Sequence, residues 1–328
     1  MEKVYLYDKD ELYVVKFAEY VRRCGICPFE VIGVTDIETL IEKKDEENKN
    51  LLIVTERMVD KLNDMDVDGG NIIILTEQKG IKSMNKHPCI FRYQRADQII
   101  RKLINIYADY MDVNCNYEYE GDNSFIVYIC SPVGRCGKTK FSYELAHELG
   151  ANNKVLHLNF EEYSSFIEEG SYDISDLLYF SMQKEETFLL RLESVVRNND
   201  TFDYVSPARI AHGYQDVELE DYKKLLDNLK NSGRYAVVVV DLPVTIRMGL
   251  KLIDKNDWLI IPTLSEERET RKQSNYLMNH RSCLDNIRYE LIHMDNEQEV
   301  SSYIRKVADL CSIRINEGRN EFGEREGR

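Results

Sequence analysis

The chain has 328 residues, with 43 Lys plus Arg against 58 Asp plus Glu, for a net charge of −15. Apolar residues make up 43%, with 16 Gly and 6 Pro, which excludes collagen-like and largely disordered classes. No apolar run approaches the ~20 residues of a membrane-spanning helix, and Asp8, Asp10 and Glu11 interrupt any N-terminal signal stretch. A soluble, acidic, cytoplasmic protein of about two domains is expected.

Residues 1–110 read as alternating strand and helix. Short apolar runs at 3–7, 30–35, 51–55 and 71–76, with a weaker one at 89–92, predict five strands. Helical spacing predicts helices over 11–23, 37–44 and 96–107, the last with Ile99, Ile100, Leu103 and Ile106 on one side. Apolar strands alternating with helices imply a parallel sheet covered on both faces. This order, with Asp8 and Asp10 after the first strand and Thr76 ending the fourth, resembles a response-regulator receiver domain. The resemblance implies a phosphorylated aspartate at the end of the third strand, where this chain has Thr55, and a lysine where it has Arg92. A hydroxyl does not replace a carboxylate that is both nucleophile and Mg²⁺ ligand. A degenerate receiver-like, flavodoxin-like domain used for interaction is therefore expected over 1–110. An unrelated small α/β domain is the plainer alternative. Residues 111–123 are polar and aperiodic and are expected to be a linker.

A buried strand at 124–130 leads into Ser131-Pro132-Val133-Gly134-Arg135-Cys136-Gly137-Lys138-Thr139, then a helix over 140–150 and another strand at 153–160. Strand, loop, helix and strand in that order are the setting of a phosphate-binding P-loop, although Pro132 replaces the first glycine of the usual pattern. Main-chain N–H groups of Val133, Gly134, Arg135, Cys136, Gly137, Lys138, Thr139 and Lys140 would face the phosphates at the positive end of the helix. The Lys138 ammonium would reach the terminal phosphates and the Thr139 hydroxyl would ligand Mg²⁺. About 100 residues on, four valines ending in Asp241 suit a central parallel strand whose acid would reach the Mg²⁺ shell through water.

The loop, the string KVLHLNFE at 154–161 and YAVVVVDLP at 235–243 together resemble the MinD/ParA branch of P-loop ATPases. A receiver-like domain ahead of such an ATPase resembles the TadZ/CpaE pilus-assembly proteins, as do YQRADQIIRKL at 93–103, SDLLYF at 175–180 and LEDYKKLLDNLKNSGRYAVVVVDLP at 219–243. The resemblance implies an ATPase domain over 124–315 with a mostly parallel sheet, ATP and Mg²⁺ as cofactors, a homodimer, and pilus or secretion proteins as partners of the receiver-like domain. It also implies recruitment by partners to the cell pole or the inner membrane face.

The chain departs from that pattern in two places. The family's extra lysine, which reaches the partner's nucleotide, falls at Val133, and the second glycine of its pair is Arg135. Its two acids after the P-loop helix fall at Asn159 and Glu161. Glu161 is then the expected catalytic partner of Lys138, and its longer side chain positions water less well. ATP binding with slow hydrolysis, or almost none, is expected.

Residues 301–315 look like a packing helix, and 316–328 mix charges without an apolar face, so a flexible tail and no direct membrane insertion are expected. Residues 111–328 carry 26 basic and 38 acidic side chains, which argues against DNA as the main partner. The histidines lack metal spacing, and the pair Cys24 and Cys27 lies between a helix and a strand, the reverse of a redox site. A helix is expected over 266–283 with a solvated charge run, another over 186–196, and Trp258 in the core of a strand over 258–262. The expected function is an ATP-dependent localisation or assembly factor. The alternatives are a ParA-type partition protein that binds DNA and a nonenzymatic scaffold with a relic nucleotide site.

Overall fold

The computed structural model describes residues 2–24, 27–36, 38–40, 51–58, 72–110, 124–161, 163–164, 172–183, 185–209, 217–244 and 249–326. The chain forms two compact units: Met1–Cys115 with Leu190–Ser194, and Asn116–Leu189 with Val195–Arg328. Both are α/β with mostly parallel sheets. The predicted linker at 111–123 lies outside the described residues, as do His212 and most of the predicted helix over 37–44.

The first unit is built on strands β1 (Glu2–Tyr7), β2 (Phe29–Val34), β3 (Leu51–Thr55), β4 (Ile72–Thr76), β5 (Ser83–Met84) and β6 (His87–Phe91). They lie in the order β2-β1-β3-β4-β6-β5. All pairs are parallel except the β5–β6 hairpin. Without that hairpin strand, the order is the 2-1-3-4-5 of flavodoxin-type doubly wound sheets. Where a helix would connect β4 to the next strand, this chain inserts β5, a short strand invisible to hydrophobic periodicity. Alternate residues of the strands fill both faces: Tyr5, Tyr7, Leu52, Val54, Ile72 and Ile74 form one cluster with Leu40 and Met58. Helix α1 (Glu11–Cys24) buries Val14, Phe17 and Val21. Helix α2 (Ala96–Tyr110) runs three residues further than its apolar spacing predicts and buries Ile99, Ile100, Leu103, Ile104 and Tyr107. Gly33 on β2 is a close-approach glycine, because a Cβ there would lie 2.0 Å from Val14 Cγ1.

The second unit holds β7 (Phe125–Ile129), β8 (Val155–Asn159), β9 (Arg197–Asn198), β10 (Asp203–Val205), β11 (Val237–Asp241), β12 (Trp258–Thr263) and β13 (Arg288–His293). Their order is β13-β12-β7-β11-β8-β10-β9, parallel except for the β9–β10 hairpin. Its helices are α3 (Lys138–Gly150), α4 (Ile174–Ser181), α6 (Leu219–Asn231), α7 (Glu267–Asn279), α8 (Arg281–Leu284) and α9 (Glu297–Glu326), while of α5 (Phe188–Val195) the residues Leu190–Ser194 belong to the first unit. One face of the sheet gives Val127, Ile129, Val237, Val239, Trp258 and Ile260 to a core shared with Phe141, Leu145 and Leu149 of α3 and Ile304, Val307 and Cys311 of α9. This continuous apolar contact fixes where α3 begins, and so where the loop before it sits.

One expectation needs correction. The predicted helix over 266–283 breaks at His280, whose φ of −111 is not helical, and resumes as α8. Helix α9 extends through Glu326, over most of the stretch expected as a tail at 316–328. The strands β9, β10 and β13 have no counterpart in the sequence reading. Among the described residues no helix is long and apolar enough to cross a membrane.

Candidate functional site

Three parallel strands position the site. Strand β11 lies between β7 and β8, and its last residue, Asp241, pairs with Ile129 on one side and Asn159 on the other. Asp241 therefore emerges beside the loop that follows β7 and beside the turn that carries Glu161. Ligands of open parallel sheets bind outside the carboxyl ends of the strands.

The loop after β7 is braced from beneath. Ser131 is buried, and its hydroxyl donates to the Pro262 carbonyl at 2.5 Å. The same oxygen accepts from the Val133 N–H at 3.0 Å and the Cys136 thiol at 3.4 Å. Val133 and Cys136 are buried, whereas Gly134, Arg135 and Gly137 are exposed. The Val133 amide is thus already engaged, and its side chain points into the protein. Arg135 (φ 60) and Gly137 (φ 83) adopt left-handed backbone conformations. Gly137 precedes α3 and carries no side chain that could cap it. The first N–H groups of a helix have no intrahelical partner, so those of α3 are left for an outside acceptor.

Lys138, the first residue of α3, reaches across to both acids. Its ammonium bonds Asp241 Oδ1 and lies 2.9 Å from Glu161 Oε1. Asp241 is completely buried, and its Oδ2 has no hydrogen-bond partner among the described residues. Burial pushes the Asp241 carboxyl above the ordinary range, against the pull of the Lys138 ammonium and the Thr139 hydroxyl. Burial also disfavours the Lys138 charge, but Asp241 and Glu161 more than offset it and hold the ammonium above its usual value. Glu161 is aimed by its own turn, because its N–H donates to Asn159 Oδ1 at 2.8 Å. The Lys140 ammonium is engaged elsewhere, 3.3 Å from Glu297 and 3.8 Å from Glu144, so its main-chain amide is what it offers to the loop.

Beneath α3, Ser142 Oγ lies 3.0 Å from Nε2 of the buried His157. Burial and the Lys138 charge lower the imidazole to about 4, so it is neutral at physiological pH. His157 packs beneath α3 against Ser142.

In the first unit, the acidic pair after β1 faces a fixed cation. Arg92 lies 2.9 Å from the buried Asp8 and 3.9 Å from Asp10, and its guanidinium sits 4.5 Å from the centre of the Tyr13 ring. Thr55 ends β3, and the next residue, Glu56, accepts from the Thr76 hydroxyl at 2.9 Å and the Glu77 amide at 3.1 Å. The carboxylate at this edge belongs to Glu56, one residue beyond the position marked in the sequence.

No family model matches the chain, and no curated protein matches it. Among solved structures, a ParA family ATPase from Chlorobium tepidum is 18% identical with a TM-score of 0.45, over 57% of this chain and 81% of that one. The MinD cell division protein of Aquifex aeolicus is 23% identical with a TM-score of 0.40, over 52% and 69%. The septum site-determining protein MinD of Pyrococcus horikoshii, complexed with Mg-ADP, is 16% identical with a TM-score of 0.41, over 52% and 70%. These are partial likenesses.

Proposed function

We propose that the second unit binds Mg-ATP in the manner of MinD/ParA P-loop ATPases and uses occupancy as a switch. The observation that carries this reading is Lys138, held at an uncapped helix start between Glu161 and a fully buried Asp241 with one orphaned oxygen. A carboxylate oxygen buried without a partner is costly, and a divalent cation would satisfy it. Asp241 and Thr139 supply few oxygens for Mg²⁺, so phosphate and water would complete the octahedron. The residues fit the group. The free amides from Gly134 to Lys140 would hold phosphate oxygens, Lys138 would move from its acids toward the terminal phosphates, and Glu161 would orient a water. Bound Mg²⁺ would supply charge neutralisation at the phosphates.

Hydrolysis is slow on this reading. Glu161 pairs with Lys138 and reaches the site from a turn two residues past the strand, and small errors in placing water are costly in rate. The larger role follows the TadZ/CpaE resemblance: a nucleotide-dependent localisation or assembly factor for a Tad-type pilus or secretion system. It would act as a homodimer, with the first unit as a docking module. The Asp8–Arg92 pair favours docking over phosphotransfer, because a guanidinium already neutralises the acids that a metal ion would need. A ParA-type DNA-binding role is disfavoured by the acidic second half.

The deciding experiment is thermal unfolding with and without Mg-ATP. Ligand at ~100 times Kd stabilises the native state by about 2.7 kcal/mol, which raises the melting temperature of a unit this size by roughly 5–10 °C. Lys138→Ala should abolish the shift. No shift in the wild type would leave a scaffold with a relic site. A turnover rate like that of ordinary ATPases, abolished by Lys138→Ala, would refute slow hydrolysis.

A further inference from the structure

We propose that the side chain of Arg135, in addition to its main-chain amide, holds the triphosphate tail of a nucleotide bound in the same copy of the chain, as a positioning residue. The inference rests on the nucleotide reading above and adds a contact to it.

Arg135 stands at φ 60, a left-handed conformation that L residues adopt only at a cost. Glycine would relieve that cost, yet glycine occupies the preceding position, Gly134, which has no positive φ. The one strained non-glycine residue of the loop is also its one unengaged cation. Arg135 is exposed and makes no ion pair or hydrogen bond among the described residues. The other two cations of the loop and helix start are committed, Lys138 to Asp241 and Glu161, and Lys140 to Glu144 and Glu297. Two carboxylates share the single Lys138 ammonium, so the resting cluster is left with one excess negative charge. A polyphosphate entering it meets net repulsion unless cations come with it. Mg²⁺ is one such cation, and a guanidinium, whose planar fork matches phosphate oxygens in pairs, is the other.

The base of the arginine is also rigid. Ser131 ties the loop to Pro262, and the flanking Val133 and Cys136 are buried. A long side chain rooted on fixed backbone loses less freedom on binding than one carried by a loose loop.

The test is calorimetric titration of Mg-ATP into the full chain at two salt concentrations, alongside melting temperatures without ligand, for wild type, Arg135→Gly, Arg135→Gln, Arg135→Lys and Lys138→Ala. Loss of one charge-assisted contact predicts about tenfold weaker binding for Arg135→Gln, with a shallower salt dependence. Arg135→Gly should weaken binding equally while raising the ligand-free melting temperature, because it removes the strain along with the cation. Arg135→Lys should recover part of the affinity. A purely structural role predicts the opposite pattern: Arg135→Gly binding as tightly as wild type, and Lys behaving like Gln. Either result overturns the inference. A loss in Arg135→Gln seen only at protein concentrations that form dimers also overturns it, by placing the contact across two copies. If Lys138→Ala abolishes binding while the Arg135 variants bind normally, this inference alone fails. If wild type does not bind, the nucleotide reading fails with it.

Discussion

Lys138→Ala tests the site without any ligand. The ammonium bonds Asp241 Oδ1, the Thr139 hydroxyl is the other group that favours the ionised carboxyl, and Asp241 is completely buried. Removing one member of a buried pair strands the other and costs about 3–5 kcal/mol. Glu161 is partly exposed and can turn to water, and Asp241 can take up a proton, which places the expected loss near the lower end, at about 3 kcal/mol. Trp258 is the single tryptophan of the chain and is buried in the second unit, so its fluorescence reports that unit alone during urea denaturation. Asp241→Asn removes the stranded charge, and the double variant should be more stable than the two single losses summed, by more than 1 kcal/mol. Additivity within about 0.5 kcal/mol, or a loss below that for Lys138→Ala, would refute the pairing. The pH dependence has a defined sign. The folded Lys138 value lies above its ordinary 10.5. Its contribution is therefore fully present below that pH and is lost as pH rises through the folded value.

Two further outcomes are expected. His157 is lowered from 6.5 to about 4, so as pH falls through that window the unfolded chain gains a proton that the folded chain refuses. The second unit should lose about 3 kcal/mol across it, and His157→Gln, which keeps a partner for Ser142, should flatten the slope measured by denaturation at a series of pH values. Gly150→Ala should destabilise despite the higher helix propensity of alanine, because the new Cβ would meet the Thr201 carbonyl oxygen at 2.6 Å. A loss of about 1–3 kcal/mol is expected from such overpacking against backbone, and a raised melting temperature would contradict it.

What the sequence revealed follows from burial. Strands β3, β4, β7, β11 and β12 are covered on both faces, so each reads as a largely apolar run. Strand β13 lies at the sheet edge, and its inner-facing polar side chains are locally satisfied: Arg288 covers Trp258 and Glu290 accepts from Tyr303. Nothing in Arg-Tyr-Glu-Leu-Ile-His marks it as a strand. In the site, Lys138, Glu161 and Asp241 were all picked out, the first by its loop and the others as acids at strand ends. Their mutual contact was not legible, because it depends on β11 inserting between β7 and β8. The Ser131 brace was hidden for the same kind of reason, since its partner Pro262 lies 131 positions away. The contact of Glu56 with Thr76 was not legible either, because it depends on β3 lying beside β4.

On the proposed nucleotide reading, the grip of Asp241 and Glu161 on Lys138 would set the two acids in competition with the phosphates for one ammonium. An anion would have to draw the lysine from both carboxylates before gaining that contact, so part of its attraction would be cancelled. Affinity would then be tempered by the same side chains that build the site.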